Sequence, residues 1–180
     1  MKKSAFVVFV ILNLATEFAQ AAPTYQVTDL GVLGNGGSRP TAINNSGQVV
    51  GWSNVLRPSG SYVSQAFLYS SNSMTRLSPM LDNHSESQAI NDRGEVVVFD
   101  PSQSFLSSAG NVTNLPTLRG QNVFPHDINN SGEIVGDAWT APFPFTSSNT
   151  NPDRHAVLIS GSNVRPIFDT SPLAVDTHSQ

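Results

Sequence analysis

One ten-residue pattern occurs three times in this chain, beginning at residues 42, 89 and 127. It reads AINNSGQVVG, AINDRGEVVV and DINNSGEIVG, so the successive copies start 47 and 38 residues apart. A repeat period in this range is typical of solenoids and propellers, in which each copy is one supersecondary unit. The repeat therefore constrains the architecture. It does not identify a reaction.

The first 21 residues have the features of a secretory signal. Lys2 and Lys3 precede an apolar run over residues 5–15, and Ala19-Gln20-Ala21 fits the small-x-small cleavage pattern. The alternative is a transmembrane anchor, but the run has eleven residues where a membrane-spanning helix needs about 20. We predict a signal peptide over 1–21, a secreted or periplasmic chain from residue 22, and no membrane anchor.

The charge and the cysteine count exclude several functions. Lys2, Lys3 and Glu17 lie in the signal, which leaves seven arginines (9 − 2) against twelve acidic residues (13 − 1), a net charge of −5. Nucleic-acid binding requires cations that neutralise phosphates, so we expect no nucleic-acid partner. The absence of Cys excludes disulfides and thiolate chemistry. No spacing of His, Asp or Glu fits a metal site, and we expect no cofactor.

A further recurring spacing and a series of short apolar runs divide each repeat into four short strands, which we call a to d. Leu68, Leu106 and Leu158 are each followed nine residues later by another apolar residue. Runs of four to six residues rich in Val, Ile, Phe and Tyr favour strands over helices. In the first unit the pattern predicts strands over 41–44, 48–53, 65–70 and 73–77. The predicted units cover 41–77, 88–115 and 126–167.

The turn between strands a and b has a physical basis in its residues. Asn44-Asn45-Ser46-Gly47 can form a type I turn, in which Asn bonds its own backbone and Gly takes the left-handed conformation. The first Asn is then a structural residue. An alternative is a calcium ligand, because amide and carboxylate oxygens suit this cation. The motif lacks the additional carboxylates that a calcium loop requires.

These residues resemble the HAF-repeat extracellular proteins. That family carries a segment like Asp29-Leu30-Gly31-Val32-Leu33-Gly34, then an AINxxGxVVG hairpin and a His-Ala-Phe-Leu-Tyr strand. The resemblance extends over residues 25–165. The tripeptide of the family name departs from the pattern in every copy, namely at residues 65–67 (QAF), 103–105 (QSF) and 155–157 (HAV). The resemblance implies a secreted bacterial protein with propeller-like repeats and no defined enzyme activity.

Four-stranded units of about 40 residues also suit a β-propeller on geometry alone. Residues 25–30 match a strand d, and residues 174–180 match the start of a fourth strand a, so the order is d, abcd, abcd, abcd, a. We predict an all-β, propeller-like array of about three to three and a half blades. An incomplete array exposes the edges of its blades, so self-association is expected. The chain can also be read as a fragment of a longer protein without a function of its own.

The connections between strands b and c differ most among the units, and binding usually concentrates in such loops. The candidate ligand-binding residues lie in or beside them: Trp52, Arg57, Tyr62, Trp139, Phe143, Phe145, Arg154 and His155. Packing and loop stiffening are the alternative roles for the aromatic residues. We predict a non-enzymatic scaffold that binds a glycan or a protein. A propeller-type lyase or hydrolase is the alternative, with Arg39, His84 and His126 directed inward and no catalytic residue assigned.

Overall fold

The computed structural model describes residues 24–78, 83–139 and 154–166. These ranges contain twelve β-strands: β1 Ser38–Ile43, β2 Val49–Leu56, β3 Tyr62–Ser70, β4 Ser73–Arg76, β5 Glu86–Ile90, β6 Val96–Phe99, β7 Phe105–Ser108, β8 Asn111–Asn114, β9 Val123–Ile128, β10 Ile134–Trp139, β11 Arg154–Ser160 and β12 Asn163–Pro166. Within the same ranges there is no helix, and so none that is long and apolar enough to cross a membrane.

The strands form three separate sheets of four, each built from four consecutive strands. Their orders are β1-β2-β3-β4, β5-β6-β7-β8 and β9-β10-β11-β12, and every neighbouring pair is antiparallel. The all-β class and the four strands per unit are thus confirmed. We call the three sheets, with their connections, units 1, 2 and 3. No sheet in the described ranges is closed on itself.

The strand limits are wider than the apolar pattern alone indicates. In unit 1, pairing between β1 and β2 continues from Ile43↔Val49 outward to Ser38↔Ser53, and β2 pairs with β3 as far as Leu56↔Tyr62. The extra residues of β1 are exposed and carry no apolar signal, whereas those of β2 and β3 include the apolar Val55, Leu56, Tyr62 and Val63. Backbone pairing, which is independent of the side chain, extends the strands there.

Residues 25–30 do not form the predicted strand d. This segment has no strand in the structure, and the side chains of Tyr25 and Val27 are almost fully exposed. In units 1 to 3, strand d pairs with strand c of its own unit, and among the described residues no strand c precedes residue 25. The predicted signal (1–21), the fourth strand a (174–180), Phe143 and Phe145 lie outside the described residues.

The units stack through alternating side chains of the first two strands of each unit. Val50 of unit 1 packs with Ile90, Val96 and Val98 of unit 2 in one buried cluster. Val97, on the opposite face of β6, packs with Ile128 and Ile134 of unit 3 in a second cluster. Because successive side chains of a strand point to opposite faces, the middle sheet is buried on both sides. This explains why β6 is a continuous run of valines rather than an alternating one.

A bulge in each unit lies where strands a and b pair. The register shifts between Pro40 and Ala42 in unit 1, between Ser87 and Ala89 in unit 2, and between Pro125 and Asp127, which face Gly136 and Val135, in unit 3. In units 1 and 3 a proline faces a glycine across the bulge. A Cβ on Gly136 would clash with the backbone carbonyl of Phe124. The glycine is needed for close backbone approach, although its φ is ordinary.

We expect Gly136→Ala to destabilise the fold by about 2 kcal/mol, because the obstacle is backbone and cannot rotate away. Chemical denaturation followed by circular dichroism measures this. Gly37→Ala is the control, since a Cβ there meets nothing within 4 Å, and its effect should stay within about 0.5 kcal/mol. Equal effects of the two substitutions would contradict the role of the bulge.

Candidate functional site

Antiparallel pairing gives every unit two distinct ends. The a–b and c–d turns lie at one end, which we call the turn end. The b–c connections and the segments that link successive units lie at the other, which we call the loop end. The repeated Asn residues are at the turn end. The predicted ligand-binding residues in the described ranges lie at or near the loop end.

At the turn end, each first Asn closes its own hairpin. The Asn44 side-chain oxygen accepts hydrogen bonds from the backbone N–H groups of Ser46 and Gln48, at 3.1 and 3.0 Å. Asn91 and Asn129 make the same pair of bonds in units 2 and 3. The turn glycines have φ of 74°, 76° and 83°, the left-handed conformation that the sequence predicts. The predicted turn role of Asn is confirmed.

The same Asn side chains also connect one unit to the next. Asn44 Nδ2 donates to the backbone oxygen of Asn91, and Asn91 Nδ2 donates to that of Asn129, both at 3.0 Å. A parallel series runs one residue further on: the Asn45 N–H donates to Asp92 Oδ1 and the Asp92 N–H to Asn130 Oδ1, both at 2.9 Å. Equivalent atoms therefore meet at both junctions. We call the two series together the turn ladder.

Asp92 is the one charged member of the turn ladder. Its carboxylate accepts the backbone N–H of Asn45 and the side-chain amides of Asn130 and Asn45. These bonds hold its pKa below the ordinary value, with the backbone bond from Asn45 contributing most. An open depression of about 320 Å³ lies among the three turns, lined by their Ile, Asn and Asp residues. The polar groups that line it are those that build the ladder.

The loop end of unit 3 holds a compact cluster of aromatic and charged side chains. The Arg154 guanidinium carbon lies 4.5 Å from the ring centroid of Phe124 and 4.8 Å from that of Trp139. Both distances are within the range of attractive cation–π contacts. Phe124 also stacks on Phe99 of unit 2, with centroids 4.8 Å apart and an interplanar angle of 20°. We call these four residues, with Asp137 and His126, the loop-end cluster.

Asp137 contacts both Arg154 and His126. One carboxylate oxygen lies against His126 Nε2 and the other against the Arg154 guanidinium. The Asp137 side chain is largely covered, whereas those of Arg154 and His126 are 41% and 60% exposed. The cluster thus presents an anchored guanidinium and an anchored imidazole to solvent above a stacked aromatic base.

Of the predicted site residues in the described ranges, the structure brings two together in the loop-end cluster and places the others elsewhere. Trp139 and Arg154 are a cross-strand pair in the loop-end cluster. Trp52, Arg57 and Tyr62 belong to unit 1, on β2, in the β2–β3 turn and at the start of β3. His155 follows Arg154 on the same strand, so the two side chains point to opposite faces.

Sequence reasoning did not select Phe99, Phe124 or Asp137. All three lie on strands rather than in the variable loops on which the prediction concentrated. A signal was available, because Phe99 occupies the position of Trp52 in the repeat and Phe124 that of Arg39. Comparison of the units position by position would have identified these residues.

Two residues of the enzyme alternative contact carboxylates of their own units. His84 pairs with Glu86 of its own strand region at 3.3 Å, and His126 pairs with Asp137. Among the described residues, Arg39, His84 and His126 form no hydrogen bond or ion pair with one another. Nor does any group of three or more His, Cys, Asp and Glu side chains in these ranges have the geometry of a metal site.

Comparisons of the chain with protein-family models, with curated proteins and with solved structures find no match.

The turn ladder predicts unequal effects for equivalent Asn residues. Asn91→Ala removes the turn cap and the bond to unit 3, and the site is buried, so we expect a loss of about 2 to 4 kcal/mol. Asn129→Ala removes the same cap, but within the described ranges Asn129 Nδ2 donates only to Glu133 of its own turn. Its cost should be smaller by at least about 1 kcal/mol. Urea unfolding measures both, and equal costs would exclude a stabilising ladder.

The depressed pKa of Asp92 predicts acid sensitivity. A carboxylate with a lowered folded pKa stabilises the fold above its unfolded pKa, and this contribution is lost as the pH falls through the lower folded value. We therefore expect the thermal midpoint to decline below pH 3.8. Asp92→Asn should lower the midpoint at neutral pH, because its amide would face two other amide donors, and should flatten the acid decline. An unchanged acid profile in this variant would argue against the assignment.

Proposed function

We propose that this protein is a secreted, non-enzymatic repeat scaffold that binds a glycan at the loop end of its units. The proposal is supported by a difference between the two ends of the strands in how closely the three units resemble one another. At the turn end the units repeat the same bonds atom for atom. At the loop end they present different side chains on the same backbone positions.

The contrast is clearest at one register position of strands a and b. The residues directly opposite one another there are Arg39 and Trp52 in unit 1, Glu86 and Phe99 in unit 2, and Phe124 and Asp137 in unit 3. Each unit thus pairs one charged with one aromatic side chain, but the identities and the strands change. A rigid scaffold with a varied aromatic and charged end is typical of binding proteins. This observation carries the proposal.

The chemistry of the loop-end cluster favours a sugar. Aromatic rings offer an apolar face for the C–H groups of a pyranose, while their geometry is fixed by stacking. Arg154 supplies several N–H donors in a fixed fork, and the exposed imidazole of His126 supplies an exchangeable donor or acceptor, while Asp137 holds both side chains in place. Sugar hydroxyls require donors and acceptors side by side, and a carboxylate-bearing sugar would also pair with Arg154.

We further propose that the three sheets are blades of a propeller-like array of the HAF-repeat type, exported by the N-terminal signal. The contacts between successive first strands support this arrangement. β1 and β5 approach one another, with Thr41 Oγ1 donating to the backbone oxygen of Ser87 at 2.7 Å, and β5 approaches β9. First strands that gather side by side are the inner strands of a propeller.

The proposal is tested by screening the full chain on a glycan array, followed by calorimetry with the best ligand. Arg154→Ala should weaken binding by about tenfold or more, because it removes a charged donor whose loss typically costs above 1.4 kcal/mol. Arg154→Lys should restore the charge but not the forked contact. Arg165→Ala on β12, also an exposed arginine, is the control and should bind normally.

Failure of the array to yield any glycan would refute the proposed ligand class. Incubation of the chain with a polysaccharide distinguishes this scaffold from the enzyme alternative, which the oriented His126–Asp137 pair favours. An extracellular lyase or hydrolase would cleave its polysaccharide on incubation, and His126→Asn would abolish that cleavage by removing the acid–base group. A scaffold would leave the polymer intact.

A further inference from the structure

Within the described residues, the two outer faces of the three-unit stack display the groups that are buried at its two junctions. At the junctions, the forward-facing Val50 and Val97 are fully buried against Ile90 and Ile128 of the following unit. The equivalent valine of unit 3 is Val135, which is 41% exposed. The equivalent isoleucine of unit 1 is Ile43, which is 67% exposed.

The turn ladder has open positions at the same two faces. Asn91 Nδ2 reaches the next unit, whereas the one described acceptor of Asn129 Nδ2 is Glu133 of its own turn, at 2.7 Å. The Asp92 N–H reaches Asn130, whereas the Asn130 N–H has no partner among the described residues. The third turn therefore offers two hydrogen-bond donors.

Unit 1 offers the matching acceptors. The Asn91 and Asn129 backbone oxygens accept an amide from the preceding unit, while the Asn44 backbone oxygen accepts, in the part of the chain that the structure describes, only the Gly47 N–H of its own turn. The side-chain oxygens of Asp92 and Asn130 accept a backbone N–H from the preceding unit. The Asn45 side-chain oxygen accepts no bond among the described residues. Each donor at the unit 3 face thus has its acceptor at the unit 1 face.

The first Asn of each turn is buried only where a following unit covers it. Asn44 and Asn91, which are covered by a following unit, are buried, and Asn129 is exposed. Ile43 lies on β1, which pairs with β2, and Val135 lies on β10, which pairs with both β9 and β11. The backbone beneath each exposed side chain is therefore already held in a sheet. The internal junctions show what fits such a face: the opposite face of a unit with the same motif.

We propose that copies of this chain associate head to tail, with the unit 3 face of one copy on the unit 1 face of the next. Val135 packs on Ile43 of the neighbouring copy, and the Asn129 and Asn130 donors bond to the Asn44 and Asn45 oxygens of that copy. The contact is heterologous, since it joins two different surfaces, and it produces a closed ring or an open chain according to the angle between units. It does not depend on glycan binding at the loop end.

Sedimentation analysis of the full chain over about a hundredfold range of concentration tests this association. The average mass should rise with concentration to two or more chain masses. Ile43→Glu and Val135→Glu each place a charge at the centre of one face, and each alone should weaken association more than about tenfold. Both side chains are exposed, so the fold should persist, which circular dichroism verifies. Val112→Glu on β8, at 42% exposure, is the matched control and should associate like the unmodified chain.

Mixing the two charged variants gives the decisive result. Ile43→Glu retains an intact unit 3 face and Val135→Glu an intact unit 1 face, so the mixture should form dimers and nothing larger. A chain that remains monomeric over the whole concentration range would overturn the proposal. So would association that only one of the two substitutions abolishes, because that indicates a symmetric contact, or a mixture in which no dimer forms.

Discussion

The hydrogen bonds of one Asn side chain in each a–b turn connect local and long-range structure. Its oxygen accepts two backbone N–H groups and closes the hairpin, and in units 1 and 2 its amide nitrogen donates to the backbone of the following turn. Folding of the hairpin therefore positions the donor that docks the next unit. Because the amide is buried at both junctions, an unmade bond there would leave a desolvated polar group. Correct stacking of the sheets follows from correct formation of the turns.

Much of the scaffold could be predicted from the sequence, and the reasons are physical. Turn formation depends on local residues such as Asn44 and Gly47, and strand identity depends on short-range apolar patterning, so both can be recognised in the sequence. The junction bonds could not be predicted, because they join residues 38 and 47 positions apart through backbone atoms that every residue has. The side chains of Tyr25 to Leu30 resemble those of strand d, and on that basis the sequence predicts a strand there. A strand also needs a neighbouring strand to pair with, and similar side chains do not provide one.

The candidate site was only partly predictable for a related reason. Trp139 and Arg154 attract notice because they flank a long variable connection. Phe124 and Asp137 do not, because their importance arises from cross-strand pairing and from the stacking of Phe124 on Phe99 of another sheet. Whether Trp52, Arg57, Tyr62 and His155 contact a ligand stays a prediction, as it does for Phe143 and Phe145.

The direction of the turn ladder has an evolutionary consequence. At both junctions the two series of the turn ladder run from donors of the earlier turn to acceptors of the later one, and only Asn130 Nδ2 donates back to Asp92 among the bonds described above. A duplicated unit inserted at a junction would therefore find both of its neighbours already compatible. Duplication could lengthen such a gene without redesign of the contacts between its repeats. Each new copy would then be free to diverge at the end of the strands that the turns do not control.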